Sequence, residues 1–246
     1  MALTHGISGF GYALEGLKLV LRPELRRFVI VPFLINLLVF SGLIWLGMHQ
    51  FAVFMEWILP ADAWYGFLRW LLWPLFALTA LLLVFYSFTS LANLIAAPFN
   101  ALLAERVELY LTGQPLPPQP ALWKTLLPML VTELGKLGYF LLRALPLLLL
   151  FVIPVLNLAA PVLWFLFNAW MLALQYLDFP MGNHGIGFAD QRKGLQRQRL
   201  ASLGFGSGIT LLMMVPGLNF LAMPAAVAGA TALWVGRIQP AQSQNS

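Results

Sequence analysis

Arg22, Arg26 and Arg27 stand close behind Gly16-Leu-Lys-Leu-Val20 and directly ahead of a long apolar run. A guanidinium is a planar fork that can clasp two oxygens of a tetrahedral oxyanion. Unpaired N–H groups at a helix start add the positive end of its dipole. The grouping fits an anion site. It fits equally well the basic residues that precede a first membrane span, hold its topology and touch lipid phosphate. Spacing alone does not choose between the two.

A second constellation, Asn100-Ala-Leu-Leu-Ala-Glu105-Arg106-Val-Glu108, closes another apolar run. Glu105, Glu108 and Thr112 recur at i, i+3, i+7 and share one helix face. Charge at a membrane boundary is costly unless paired or hydrated. Glu105, Arg106 and Glu108 therefore read as a pathway or gating network, with Arg106 neutralising the carboxylates, or as a solvated helix end. A third pattern occurs twice: Pro154-Val-Leu-Asn157 followed by Pro161, and Pro216-Gly-Leu-Asn219 followed by Pro224. Proline breaks a helix, and an asparagine side chain can bond the backbone groups so freed. Irregular backbone at membrane depth needs a protein or water lining, and paired breaks at corresponding positions point to a transport pathway or simply to how two hairpins turn.

Other chemistries find no support. His5, His49 and His184 are scattered, Asp178 and Asp190 belong to no acidic motif, and Ser87 and Ser90 lack His–carboxylate partners nearby in sequence. There is no Walker loop, so nucleotide hydrolysis by that route is excluded. Cysteine is absent, which removes disulfides, thiolate chemistry and cysteine-ligated metals. The chain is expected not to be an enzyme, and it implies no metal, no cofactor and no nucleic-acid partner.

The elements that must carry these residues are membrane helices. The chain is 61% hydrophobic and 9% charged, with mean hydropathy +0.83, where soluble domains carry about 25% charged residues. The formal net charge of +5 suits an anionic partner or merely sets topology. Residues 1–16 lack the basic start and apolar core of a signal peptide. Segments 28–55, 70–104, 144–177 and 200–236 contain no Asp, Glu, Lys or Arg. A hydrocarbon core of roughly 30 Å takes about 20 helical residues to cross. Split by a knot, each of the last two segments leaves legs of about 14 residues, or about 21 Å at 1.5 Å per residue.

The expectation is one all-α membrane domain over 1–246. It has an interfacial amphipathic helix at 8–21, membrane-spanning helices at 23–55 and 70–112, and half-penetrating helical hairpins at 121–177 and 200–236. In the first helix Phe10, Leu14, Leu17 and Leu21 form the apolar row and Glu15, Lys18 and Arg22 another face. With two spans, every Lys and Arg except Arg69 faces the cytoplasm, which favours cytoplasmic termini and an outer loop at about 56–69. Trp45, Trp57, Trp64, Trp70 and Trp73 gather around that loop, as interfacial tryptophans do. Residues 114–120, Gln-Pro-Leu-Pro-Pro-Gln-Pro, are the linker-like stretch. The glycines and basic residues of 178–199 read as a connector touching anionic headgroups.

Taken in order, Gly-Leu-Lys-Leu-Val at 16–20, Arg-Pro-Glu-Leu-Arg-Arg-Phe at 22–28, Asn-Leu-Ile-Ala-Ala-Pro-Phe-Asn at 93–100, Leu-Leu-Ala-Glu-Arg-Val-Glu at 102–108 and the two knots resemble the CysZ sulfate permeases of bacteria. The resemblance runs from about Gly9 to Arg237. It implies a multi-pass protein of the bacterial inner membrane that admits sulfate for cysteine biosynthesis without ATP hydrolysis, by a channel-like or permease mechanism. It also implies homo-oligomers, dimeric or higher, surrounded by membrane lipids. The family's sulfate motif maps onto Gly16, Leu17, Leu19, Val20, Arg26 and Arg27, with Val20 in place of an isoleucine. A non-transporting scaffold or regulator, and a lipid-modifying enzyme, are the alternatives that a flux measurement separates from transport.

Overall fold

The computed structural model describes residues 8–58, 67–116 and 122–240, and these are helical almost throughout, with no strand among them. The helices are α1 (Gly9–Val20), α2 (Arg27–Ile58), α3 (Leu68–Thr112), α4 (Leu122–Leu150), α5 (Ala160–Asn183), α6 (Phe188–Arg197), α7 (Arg199–Met214) and α8 (Asn219–Leu233). A 3-10 turn, Leu156–Leu158, precedes α5, and a π-helical turn, Trp234–Ile238, continues α8. The chain forms two units, one of Met1–Val29 with Asn100–Ser246 and one of Ile30–Phe99.

The first unit is built around α8. Its alanines, Ala222, Ala225, Ala226, Ala228, Ala230 and Ala232, are all buried, and α1, α5 and α7 pack against it. Small side chains let backbones approach closely, which drives helix association where hydrophobicity cannot. At the α1–α8 crossing the approach is so close that a Cβ on Gly16 would collide with the Ala225 and Gly229 backbone. One on Gly229 would collide with the Tyr12 carbonyl. Only glycine fits there. The α1 helix starts at Ser8, whose hydroxyl accepts from the Gly11 N–H at 3.2 Å. It buries Tyr12, Ala13, Gly16, Leu19 and Val20 while Phe10, Leu14 and Leu21 stay exposed. That leaves an outward apolar row available to lipid. Burial raises the pKa of the Tyr12 phenol, against the pull of a hydrogen bond and charge from Arg237.

In the second unit the α2 and α3 segments are lined by large exposed side chains, among them Leu38, Trp45, Trp57, Trp70 and Leu71. Phe51 stacks on Phe76 at 3.6 Å between centroids and meets Trp73 edge-on at 4.8 Å. Trp64 and most of the expected outer loop lie outside the described residues, as do positions 117–120 of the proline-rich linker and the side chains of 83–97 in α3.

The number of spans differs from the sequence expectation of two. Among the described residues three helical segments are long and apolar enough to cross a membrane: Arg27–Trp57, Ala160–Asn183 and Leu221–Ile238. Two of them are second legs of the expected half-penetrating hairpins. The 14-residue leg length equated a charge-free run with a helix, but the helices run past charges. The α5 helix has 24 residues, about 36 Å, and passes through Asp178. The α4 helix has 29 residues and carries Glu133, Lys136 and Arg143. Lys136 is bonded to Asp178 of α5, and Arg143 lies over the Tyr139 ring of its own helix, so neither charge ends the helix.

Candidate functional site

The six residues 21–26 form the turn that joins α1 to α2, through hydrogen bonds from Arg22 N–H to Leu19 O, Leu25 and Arg26 N–H to Arg22 O, and Phe28 N–H to Leu25 O. Leu25 is buried and anchors the turn. Pro23, Glu24, Arg26 and Arg27 are exposed around it. Arg22 lies 6.0 Å from the Tyr110 ring and Arg27 lies 5.0 Å from the Phe28 ring. Among the described residues no carboxylate pairs with Arg22, Arg26 or Arg27. Three guanidiniums, unpaired among the described residues, thus crowd one short turn against the single carboxylate of Glu24, which is an anion-attracting arrangement.

The main-chain part of the sequence reading needs correction. Gly16, Leu17, Leu19 and Val20 occupy the end of α1, not the start of a helix. Gly16, Leu19 and Val20 are buried and Leu17 is half-buried against the core. Most backbone donors of the turn are already bonded, so the guanidiniums provide the available N–H groups. Gly16 brings α1 onto α8 and so fixes where the turn begins.

The expected charge network is also arranged differently. Glu108 is only 4% exposed, and its Oε1 lies 2.7 Å from His184 Nε2. Its Oε2 is buried without a partner. The His184 ring lies 5.4 Å from Trp234, whose Nε1 is also buried and unpartnered. Arg106 is exposed and Glu105 half-buried; neither joins an ion pair among the described residues. On a helix, residues two positions apart point about 200° apart, so Arg106 faces away from the side on which Glu108 is buried. The counter-charge to Glu108 is therefore histidine when its imidazole is protonated, and a neutral hydrogen bond otherwise. Asn183 Nδ2 donates to Ala101 O at 3.1 Å and holds the end of α5 beside α3. The Thr112 hydroxyl donates to Glu108 O at 2.8 Å.

At the knots, Asn157 is exposed and its side chain makes no hydrogen bond among the described residues; backbone bonds, including Asn157 N–H to Ile153 O at 3.0 Å, close the turn instead. For Asn219 only the backbone is described, as the first residue of α8. Pro154 and Pro216 are both exposed.

Sequence reasoning missed two clusters. Lys136 Nζ binds Glu133 Oε1 and Asp178 Oδ2, each at 2.7 Å, and Gln191 Nε2 donates to Asp178 Oδ1 at 2.7 Å. Burial works to lower the Lys136 pKa, but the two carboxylates, Asp178 foremost, outweigh it and hold it above the ordinary lysine value. In the other cluster two guanidiniums approach the Tyr139 ring, Arg143 at 3.7 Å and Arg192 at 5.0 Å from its centroid. Glu133–Lys136 and Tyr139–Arg143 are at helical spacing, but Asp178, Gln191 and Arg192 join them from dozens of positions away, where spacing gives no signal. At the exposed end of α6, Lys193 pairs with Asp190 at 2.8 Å and lowers its pKa. A surface cavity of about 400 Å³ lies there, lined by Gly185, Gly187, Lys193 and Arg197 among others.

The family described as Sulfate transporter CysZ/Etoposide-induced protein 2.4 matches residues 12–224. A protein of Pseudomonas fluorescens (strain Pf0-1) named Sulfate transporter CysZ is 47% identical over 234 residues, 93% of this chain and 93% of its own length. Proteins of the same name from Pseudomonas paraeruginosa (strain DSM 24068 / PA7) and Vibrio parahaemolyticus serotype O3:K6 are 47% and 44% identical, covering 93% and 94% of this chain and 95% and 96% of their own.

Proposed function

The chain belongs to the Sulfate transporter CysZ/Etoposide-induced protein 2.4 family, and on that premise we propose that it carries sulfate across the bacterial inner membrane. The observation that carries this reading is near-full-length likeness to relatives named for sulfate transport. In this reading the protein is multi-pass with cytoplasmic termini, assembles as a dimer or higher homo-oligomer in contact with lipid, and supplies sulfur for cysteine biosynthesis. Passage is channel-like or permease-like and uses no ATP, in keeping with the missing Walker loop.

Sulfate must shed water to enter a protein, and a buried dianion is tolerated only where charged donors replace that water. Arg26 and Arg27 are the proposed clasp, joined to Gly16, Leu17, Leu19 and Val20, which set the end of α1. The guanidiniums at this turn, unpaired among the described residues, support the assignment. Each charge-assisted hydrogen bond contributes about 1.5–3 kcal/mol, roughly 10-fold to 150-fold in affinity. Glu105, Arg106 and Glu108 are proposed to line or gate the path. There His184 screens Glu108, and Arg106 is left to attract the anion.

Vesicles containing only this protein test the reading. Labelled sulfate should enter them and equilibrate faster than in protein-free vesicles, without nucleotide. Entry no faster than in empty vesicles would overturn it.

A further inference from the structure

The charges of α4, α5 and α6 do not balance within the protein. These helices carry three carboxylates, Glu133, Asp178 and Asp190. Glu133 and one oxygen of Asp178 are taken by Lys136, the other oxygen of Asp178 by Gln191, and Asp190 by Lys193. Lys124, Arg143, Arg192 and Arg197 also lie on these helices, and of these Arg143 and Arg192 pair with no described carboxylate. Yet both converge on one ring. Tyr139 is only 8% exposed, and the two guanidinium carbons lie 3.7 Å and 5.0 Å from its centroid. Phe188 meets the same ring edge-on at 5.6 Å and lies 5.5 Å from Arg192.

A ring attracts a cation through its quadrupole, but two cations gathered on one ring repel each other by a comparable amount at this range. A shared anion would relieve that repulsion. Two further groups point the same way. Arg192 Nε is buried without an acceptor, and a buried charged donor left unpaired is costly. The Tyr139 oxygen accepts the Trp170 indole N–H at 3.0 Å, which leaves its own O–H free to donate.

We propose that Arg143, Arg192 and the Tyr139 hydroxyl form a second oxyanion site, separate from the Arg22–Arg27 turn. The ligand class is a tetrahedral oxyanion carrying at least one full negative charge, held by guanidinium forks and a phenol. Two sources share this chemistry: the phosphate of an anionic lipid and free sulfate. Arg143 is the last charged residue before the uncharged segment 144–177, and Leu141, Leu142 and Leu145 beside it are exposed. An apolar surface ending at paired arginines is where a lipid headgroup would sit. The proposal does not depend on the chain transporting sulfate.

The full-length protein, purified in detergent, is titrated with labelled sulfate and, separately, with phosphatidylglycerol read by native mass spectrometry. The variants are the double substitution Arg143→Gln/Arg192→Gln and the milder Tyr139→Phe, which keeps the ring and removes only the hydroxyl. Arg26→Ala/Arg27→Ala serves as the reference for the other site. The double variant should lose at least 10-fold in affinity for one probe, and Tyr139→Phe a few-fold for the same probe. Loss of phosphatidylglycerol with sulfate binding intact identifies the lipid. Loss of a sulfate equivalent that Arg26→Ala/Arg27→Ala retains identifies the free anion. Should the double variant not fold, Tyr139→Phe decides alone. Wild-type affinity for both probes in every folded variant of this cluster overturns the proposal, whatever happens at Arg26 and Arg27.

Discussion

The two hairpins, α4–α5 and α7–α8, turn through the same Pro-x-Leu-Asn knot yet live in different surroundings. In both, the residue after proline has a left-handed backbone: φ is +71° at Val155 and +85° at Gly217. Glycine adopts that conformation freely, whereas a β-branched residue is strained there. The first knot is wholly exposed, with Val152, Val155 and Leu158 outward, and α4 leads to it with exposed Leu141, Leu142, Leu145 and Leu149. The second leads into α8, whose alanines are buried. The knot therefore sets how the chain reverses. Side-chain size decides which hairpin becomes core and which is left for lipid.

The largest break in this contrast should come from Gly229→Leu, which forces a side chain into the Tyr12 carbonyl where α1 and α8 touch. Overpacking a well-filled contact costs about 1–3 kcal/mol, and a backbone collision lies at or above the top of that range. Thermal unfolding in detergent should show a large fall or outright loss of folded protein, while Leu149→Ala on exposed α4 changes little. Equal effects would mean that the two hairpins do not differ in burial.

Next comes Gly217→Val, which should cost about 1–3 kcal/mol because valine must hold a left-handed backbone. The reciprocal Val155→Gly should raise stability by about 1 kcal/mol or less, since relieved strain is partly offset by added chain entropy. Opposite signs are expected in denaturant midpoints; the same sign for both would break the equivalence of the knots.

Lys136→Met should also destabilise, by about 1.5–3 kcal/mol, because it strands Asp178 without its ammonium partner. The folded pKa of Lys136 is raised, so its contribution is fully present below the ordinary lysine value and fades as pH rises through the folded one. The stability gap between wild type and variant should hold constant from pH 6 to pH 9 and narrow in strong alkali. A gap that widens with pH would contradict this.

Much of the architecture was legible in sequence, for local reasons. Hydropathy identified an all-helical membrane protein, and proline with glycine or asparagine marked both knots. What sequence hid depends on contacts between distant positions. Lys136 and Arg143 read as helix boundaries, yet α4 runs past both, one bonded to Asp178 and the other lying over Tyr139, so the legs are longer than the charge-free runs. His184 seemed isolated, yet it sits against Glu108 from 76 positions away, in the place assigned to Arg106. Gly16 read as part of an anion motif, while its lack of a Cβ is spent on the α8 contact. Arg22, Arg26 and Arg27 are visible in sequence as a group because one short turn and the first residue after it hold them within six positions.

That turn bears the central claim, and sulfate flux in reconstituted vesicles tests it most directly when wild type is compared with two arginine pairs. Arg26→Ala/Arg27→Ala should abolish uptake while insertion and oligomer size persist, and Arg197→Ala/Arg199→Ala should leave most of it. Equal losses in both variants would reduce the effect to general electrostatics. Undiminished flux without Arg26 and Arg27 would contradict the assignment of the turn as the sulfate clasp.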